Sequence, residues 1–271
     1  MRIVTQPTGV SSQENFAVRM TARDQGHTLT TLNWPEASEF PSQPFMPVGS
    51  VAFCMAAFQH MGIDTRFGWN GYPTSLLHRA FFRRNLFVTS LAELQQSEWP
   101  AAGWFIKPIW PVKAFSAQVH PDFESLITHL LQEGAVPAET DFTTFRVYLA
   151  EPVRFVSEWR YYIVEGEIMG SGRYDDGTDL APTPKVEVVQ EAITQLKRSR
   201  DLPAGFALDF GVLDDLQTTE LVEANDGWAL GLYKGSLHRE FYFKLLQARF
   251  REIQAKKSLV LRPIPIDSQN R

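Results

Sequence analysis

The 271 residues carry a formal net charge of -5, with 44% hydrophobic and 21% charged residues. That balance excludes wholesale disorder, and no Lys/Arg block is long enough to follow a phosphate backbone, so no nucleic-acid partner is expected. One cysteine, Cys54, excludes an internal disulfide, and no apolar run approaches the roughly 20 residues of a membrane helix.

No charged-then-apolar leader is visible in Met1–Val10, so a cytoplasmic protein is expected. Arg2-Ile3-Val4 reads as a short strand, Ser11-Ser12 as the cap of a helix through Arg23, and Thr28–Leu32 as extended. A loop rich in proline and aromatics follows, from Trp34 to Pro47. Gly49-Ser50 then opens a helix that holds Cys54 as a core residue and ends at Gly62. Ser75–Phe82 reads as a second short helix, Leu86-Phe87-Val88 as a strand, and Ser90 with Glu93 as the capping box of Leu91–Glu98.

From Gly103 the pattern shifts to short strands: Trp104–Lys107, Phe115–Val119, Phe142–Leu149, Phe155–Val164 and Ile168–Tyr174, the last two joined at Glu165-Gly166-Glu167. Helices are expected at Phe123–Gln132 and Val186–Ser199, strands at Gly205–Leu213 and Thr218–Ala224, and a last helix from Ser236 to Lys257. Phe53, Phe58, Phe81, Phe82, Phe241 and Phe243 read as core, and His120, His129 and His238 as surface residues. An α+β or α/β fold with antiparallel pairs follows.

The stretch Phe206–Gly227 carries the clearest chemistry. With a three-residue turn at Asp215-Leu216-Gln217, Asp209 faces Glu223, and strand alternation puts Asn225 on the same side as Glu223. Two facing carboxylates repel unless a cation lies between them, and a hard divalent ion with water and phosphate fills that role. The alternative is a solvated strand edge. Asp214, Asp215 and Asp226 read as turn residues. Lys107 ends an apolar strand, and Lys113 follows across a loop. Glu158 and Arg160 share one strand face, where they either pair with each other or leave Arg160 as a fork for a phosphate or carboxylate. Arg173 is a second such fork.

The order of these pieces from Trp104 to Tyr233 resembles the ATP-grasp superfamily, and within it the small bacterial and phage R2K clade. The resemblance implies an α+β ATP-grasp fold, in which two α/β subdomains with antiparallel sheets clasp a nucleotide. A small α/β domain would precede it: residues 1–95, then 96–260, then an irregular tail at 261–271. It implies Lys107 and Lys113 on the nucleotide phosphates. The backbone at Tyr148 and Leu149 would meet adenine, with Glu151 on ribose or adenine and Glu158 also at the nucleotide. Asp209, Glu223 and Asn225 would hold Mg²⁺, and Arg160 and Arg173 would stabilise transition-state charge. The sequence departs from the family in lacking a glycine-rich run after Lys107, and in the Asp226-Gly227-Trp228 that follows Asn225.

The implied reaction is ligation: ATP phosphorylates a carboxylate, and an amine displaces phosphate, with Mg²⁺ bridging the β- and γ-oxygens. The carboxylate substrate would be a small molecule or peptide, and the protein a monomer or homodimer. A small-molecule kinase and a non-catalytic ATP-binding module are the competing readings.

Overall fold

A computed structural model describes residues 1–32, 40–65, 70–110, 113–137, 139–175, 180–200 and 202–256. The strands are β1 (Arg2–Thr5), β2 (Thr28–Thr31), β3 (Met46–Val48), β4 (Asn70–Gly71), β5 (Leu86–Ser90), β6 (Trp104–Trp110), β7 (Gln118–His120), β8 (Arg146–Ala150), β9 (Phe155–Val164), β10 (Glu167–Arg173), β11 (Gly205–Leu213) and β12 (Thr219–Asp226). The helices are α1 (Ser12–Asp24), α2 (Val51–His60), α3 (Leu91–Gln95), α4 (Phe123–Gln132), α5 (Val186–Ser199) and α6 (Arg239–Lys256). Among the described residues no helix is long and apolar enough to cross a membrane.

Two compact units emerge. One joins residues 1–81 to the described residues from Phe155 onward, and the other is residues 82–154. The expected division at residues 1–95 and 96–260 follows chain order, whereas the compact units do not. The expected tail from Leu261, and part of the loop from Trp34, lie outside the described residues.

In the first unit, β1 pairs in parallel with both β2 and β3. The capping box of α1 forms as Ser11 Oγ accepts the Glu14 N–H at 3.2 Å and Glu14 Oε2 accepts the Ser11 N–H at 2.9 Å. A five-stranded sheet follows, in the order β10-β9-β11-β12-β4, antiparallel throughout. The β9–β10 turn has only Glu165 and Gly166 between the strands, at φ 52° and 82°. Positive φ at both central positions matches the twist of the flanking strands, and glycine supplies it without strain. Ile3, Val18, Phe53 and Phe58 share one core with Tyr162, Val164 and Ala207 of this sheet and with Leu245 and Ile253 of α6.

The second unit is a four-stranded antiparallel sheet, β5-β8-β6-β7, with Leu91 and Leu94 of α3 and Leu126 and Leu130 of α4 in a core with Ile106, Val147 and Leu149. The Ser90–Glu93 capping box is present: Ser90 Oγ accepts the Glu93 N–H at 3.2 Å and Glu93 Oε2 accepts the Ser90 N–H at 2.8 Å.

Several expectations are corrected. In place of a helix over 75–82 there is one 3-10 turn at Thr74–Leu76. Strand β6 runs past Lys107 to Trp110, so Lys107 is mid-strand. Pro108 is tolerated there because the register shifts between Pro108 and Trp110. Phe241 is exposed on α6, while the other five phenylalanines expected in the core are buried. His120 is not a surface residue, and His129 is half-buried. His120 is 1% exposed, its Nε2 lies 3.3 Å from His129 Nδ1, and burial and the neighbouring His129 hold its pKa below the ordinary 6.5.

That depression has a sign. Below the ordinary value the unfolded chain binds a proton that folded His120 refuses, so stability falls as pH drops from 6.5 toward the depressed pKa. Denaturant unfolding measured between about pH 7.5 and about pH 5.5 should show this, with a slope of at most about 1.4 kcal/mol per pH unit for one proton. His120→Gln should reduce the slope. His27, also held low by burial, keeps part of it. An unchanged slope in the variant would rule His120 out as its source.

Candidate functional site

The core-facing side of the five-stranded sheet is apolar at one end and ionic at the other. Tyr162, Ala207 and Asn225 are cross-strand partners on β9, β11 and β12; two residues along each strand lies the row Arg160, Asp209 and Glu223. The expected pairing of Asp209 with Glu223 is present, although the route to it differs. Residues Asp214–Thr218 separate β11 from β12, and the Leu213 N–H donates to the Thr218 carbonyl at 2.9 Å, closing a four-residue turn at Asp214–Gln217. A register shift between Asp209 and Phe210 then takes up the extra residue. Asp215 holds this turn as expected, accepting the Gln217 and Thr218 N–H groups at 2.9 and 2.8 Å.

Asp209 is 1% exposed and accepts a fork from Arg160, Nε to Oδ1 at 2.8 Å and Nη2 to Oδ2 at 2.6 Å. Arg160 therefore pairs with Asp209 in place of Glu158. Burial alone would favour its neutral form, but Asp209, with Tyr233 and Glu223 behind it, overrides this and keeps the guanidinium charged. Glu223 lies 3.8 Å from Arg160 Nη2 and is more open, with its side chain 27% exposed. Asn225 Nδ2 stands between the carboxylates, donating to Asp209 at 3.0 Å and to Glu223 at 2.8 Å.

An aromatic wall stands beside this row, and sequence reasoning missed it. Tyr233 lies under Arg160 at 4.9 Å from the ring centroid and stacks on Tyr174 at 5.0 Å. The Tyr174 hydroxyl donates to Glu158 at 2.8 Å, and burial together with the nearby carboxylates raises its pKa. Tyr162 supports the Tyr233 loop: its hydroxyl donates to the Gly231 carbonyl and accepts the Tyr233 N–H, both at 3.1 Å. The only local signal was Tyr174 next to Arg173; the rest is a product of tertiary pairing. Arg173 is forked onto Asp175 at 2.8 and 2.6 Å, and Asp175 also accepts the Glu158 N–H at 2.7 Å. Asp226 is not a turn residue. It ends β12, buried, in a fork with Arg249 at 2.6 Å through both oxygens.

In the second unit, Lys107 and Tyr148 are cross-strand partners on β6 and β8. Tyr148 and Leu149 lie on a strand paired along both edges, with β5 and β6, so their backbone groups belong to the ladder. One further pair follows Ala150, the Glu151 N–H donating to the Asn85 carbonyl at 3.3 Å. Glu151 accepts from the Asn85 N–H and the Asn85 side-chain amide, both at 2.9 Å. Lys113 is exposed, at φ 52°.

The donor set at the acidic row suits a hard divalent cation. Asp209, Glu223 and Asn225 are all oxygen donors, and the Asn225 NH₂ already places positive hydrogen atoms between two carboxylates. Turned over, the same amide presents its oxygen there. Among the described residues no three or more His, Cys, Asp or Glu side chains group for a metal, so two carboxylates and an amide are the available set.

Solved structures with the same fold include the D-alanine–D-alanine ligase of Bacillus anthracis complexed with ATP. It has 15% identity and a TM-score of 0.52, over 95% of this chain and 98% of that one. The ATP-grasp ligase PsnB complexed with its minimal precursor has 12% identity and a TM-score of 0.50, over 92% and 98%. These identities show the fold, which is ATP-grasp. No curated protein sequence matches the chain. The family profile "ATP-grasp domain, R2K clade family 2" matches residues 81–243, more than half of the chain, and the chain belongs to that family.

Proposed function

We propose that the protein is a Mg-ATP-dependent carboxylate–amine ligase that releases ADP and phosphate. The observation that carries this is the convergence of Asp209, Glu223 and Asn225 on one face of β11 and β12 in a member of the ATP-grasp family. Magnesium held by these three residues would neutralise charge on the nucleotide phosphates. Arg160 orients Asp209 and keeps that buried carboxylate ionised. Lys107 and Lys113 act as point charges on phosphate oxygens. Glu158 fixes the Tyr174 ring, and Arg160 with Tyr233 fills one wall of the site. Arg173 supports that wall through Asp175. The stretch Tyr148, Leu149 and Glu151 lies at the adenine, with the backbone beyond the Glu151 N–H, which the Asn85 carbonyl holds, as its free part.

The γ-phosphoryl group passes to a carboxylate of a small molecule or peptide. An amine that arrives neutral then attacks the carbonyl carbon, the C–O bond to phosphate breaks, and the amine loses its proton to solvent. No protein nucleophile is needed. Cytoplasmic location and a monomer or homodimer complete the reading.

Titration calorimetry with ATP, with and without Mg²⁺, tests it. Binding that requires the metal is the expected result. No nucleotide binding at saturating Mg²⁺ would return the acidic row to a structural role.

A further inference from the structure

Residues 113–117 are the described part of the connection from β6 to β7 and carry Lys113. The far end of this connection is gripped from several sides. Phe115 is buried in the core of its unit, edge-on to His129 at 5.9 Å and stacked against Phe145 at 6.2 Å. Glu133 accepts the Ser116 N–H at 3.0 Å through one oxygen and the Ser116 hydroxyl through the other. His129 Nε2 lies 3.1 Å from that second oxygen and 3.3 Å from Ser116 Oγ.

The His129 ring is itself held from behind. Its Nδ1 faces His120 Nε2 at 3.3 Å, and His120 Nδ1 faces Ser125 Oγ at 3.4 Å. With both rings neutral, the protons run one way. Ser125 donates to His120, His120 donates through Nε2 to His129, and His129 donates through Nε2 to Glu133. Each ring orientation is thereby set by the next.

Glu133 is the C-cap residue immediately after α4. A carboxylate at the negative end of a helix dipole is locally unfavourable, and rules broken locally in this way are answered by a purpose elsewhere. The contacts with Ser116 and His129 supply it, and they hold the carboxyl below its usual range, the Ser116 hydroxyl first. Lys113, three residues from Ser116, keeps a left-handed φ of 52° that non-glycine residues seldom adopt.

We propose that Glu133, backed by His129, is a positioning residue that holds residues 113–117 in one conformation and so places Lys113. The segment is a fixed phosphate anchor and not a lid that opens and closes. This rests on the assignment of Lys113 to a phosphate under the proposed function.

The test uses the full chain in two measurements, amide hydrogen exchange and Mg-ATP calorimetry, on wild type, Glu133→Ala, Glu133→Gln, Ser116→Ala, Lys113→Ala and the double variant Lys113→Ala/Glu133→Ala. In wild type the Ser116 amide exchanges slowly. Glu133→Ala is expected to speed it about tenfold or more, leave β5 and β8 unchanged, and weaken ATP binding about tenfold, with Glu133→Gln, which keeps an acceptor, partly restoring both. Because Glu133 acts through Lys113, the double variant should bind no more weakly than Lys113→Ala alone. Ser116→Ala, an exposed change that removes the hydroxyl contact and keeps the N–H contact, should move both readouts in the same direction by less, and serves if Glu133→Ala folds poorly. Rapid Ser116 exchange in wild type overturns the clip. Faster exchange with unchanged ATP binding, or additive losses in the double variant, overturns the positioning role. If wild type binds no ATP, the functional assignment fails and takes the positioning role with it, while the exchange data still decide whether the loop is fixed.

Discussion

Arg249→Ala should be among the most destabilising single changes in this chain, costing about 3–5 kcal/mol. For a unit of this size that corresponds to a thermal midpoint lower by roughly 6–20 °C. Arg249 is 2% exposed. Its fork onto Asp226 is reinforced by Glu252, which Arg249 Nη1 meets at 2.8 Å and which in turn accepts the Ala204 N–H at 2.8 Å. Burial works against the charge, but Asp226 and Glu252 outweigh it and raise the Arg249 pKa. Removing the guanidinium leaves Asp226 buried and unpaired at the end of β12, where water cannot replace the lost donors. The double change Arg249→Leu/Asp226→Leu should recover most of the loss, because a paired apolar substitution leaves no buried charge behind. Thermal unfolding of the three variants checks both statements. A single variant within about 1 kcal/mol of wild type would mean that the pair is solvated.

The second large effect concerns function. Glu223→Ala should weaken ATP binding in the presence of Mg²⁺ by about 100-fold, close to 2.7 kcal/mol. In the absence of the metal the variant should bind ATP at least as well as wild type, because a carboxylate that repelled the phosphates is gone. Glu223 is the cleaner probe of the row. Its side chain is partly open, and Asn225 still reaches Asp209 without it. Asp209→Ala would confound the result, since it strands Arg160 in a buried position. Equal loss with and without Mg²⁺ would show that Glu223 does not serve a cation.

Local patterns told the sequence reader a good deal. The bounds of β9, β11, α4 and α5 follow from alternation and helical spacing, and Ser11, Ser50 and Ser90 cap their helices with their own side chains. The family was legible from the order of its motifs, and β11 has its expected bounds, whereas β12 starts one residue later than expected and runs two residues past Ala224. What escaped was whatever depends on long-range pairing. Arg160 meets Asp209 only because β9 lies beside β11, 49 positions apart in sequence. Nothing near Asp226 predicts Arg249, and the Asp-Gly that follows Asn225 has the local chemistry of a turn. His120 reads as a polar residue at the end of a short strand, and its burial comes from α4 packing over it. The two compact units are invisible to any reading that moves along the chain.

The interleaving of those units has a consequence for synthesis. Residues 82–154 contain all the strands and helices of their own unit, and Leu86 pairs with Ala150, so this part can close as soon as it leaves the ribosome. The first unit cannot. Gln13 Nε2 reaches the Tyr233 carbonyl across 220 positions, and Ile3 shares its core with Ile253. At about 5–20 residues per second, the opening segment waits on the order of ten seconds or more for its partner strands and α6. During that interval Val18, Phe53 and Phe58 have no complete core to enter. The nascent chain carries a finished middle and an unfinished beginning, and it is the beginning whose apolar side chains stay uncovered longest.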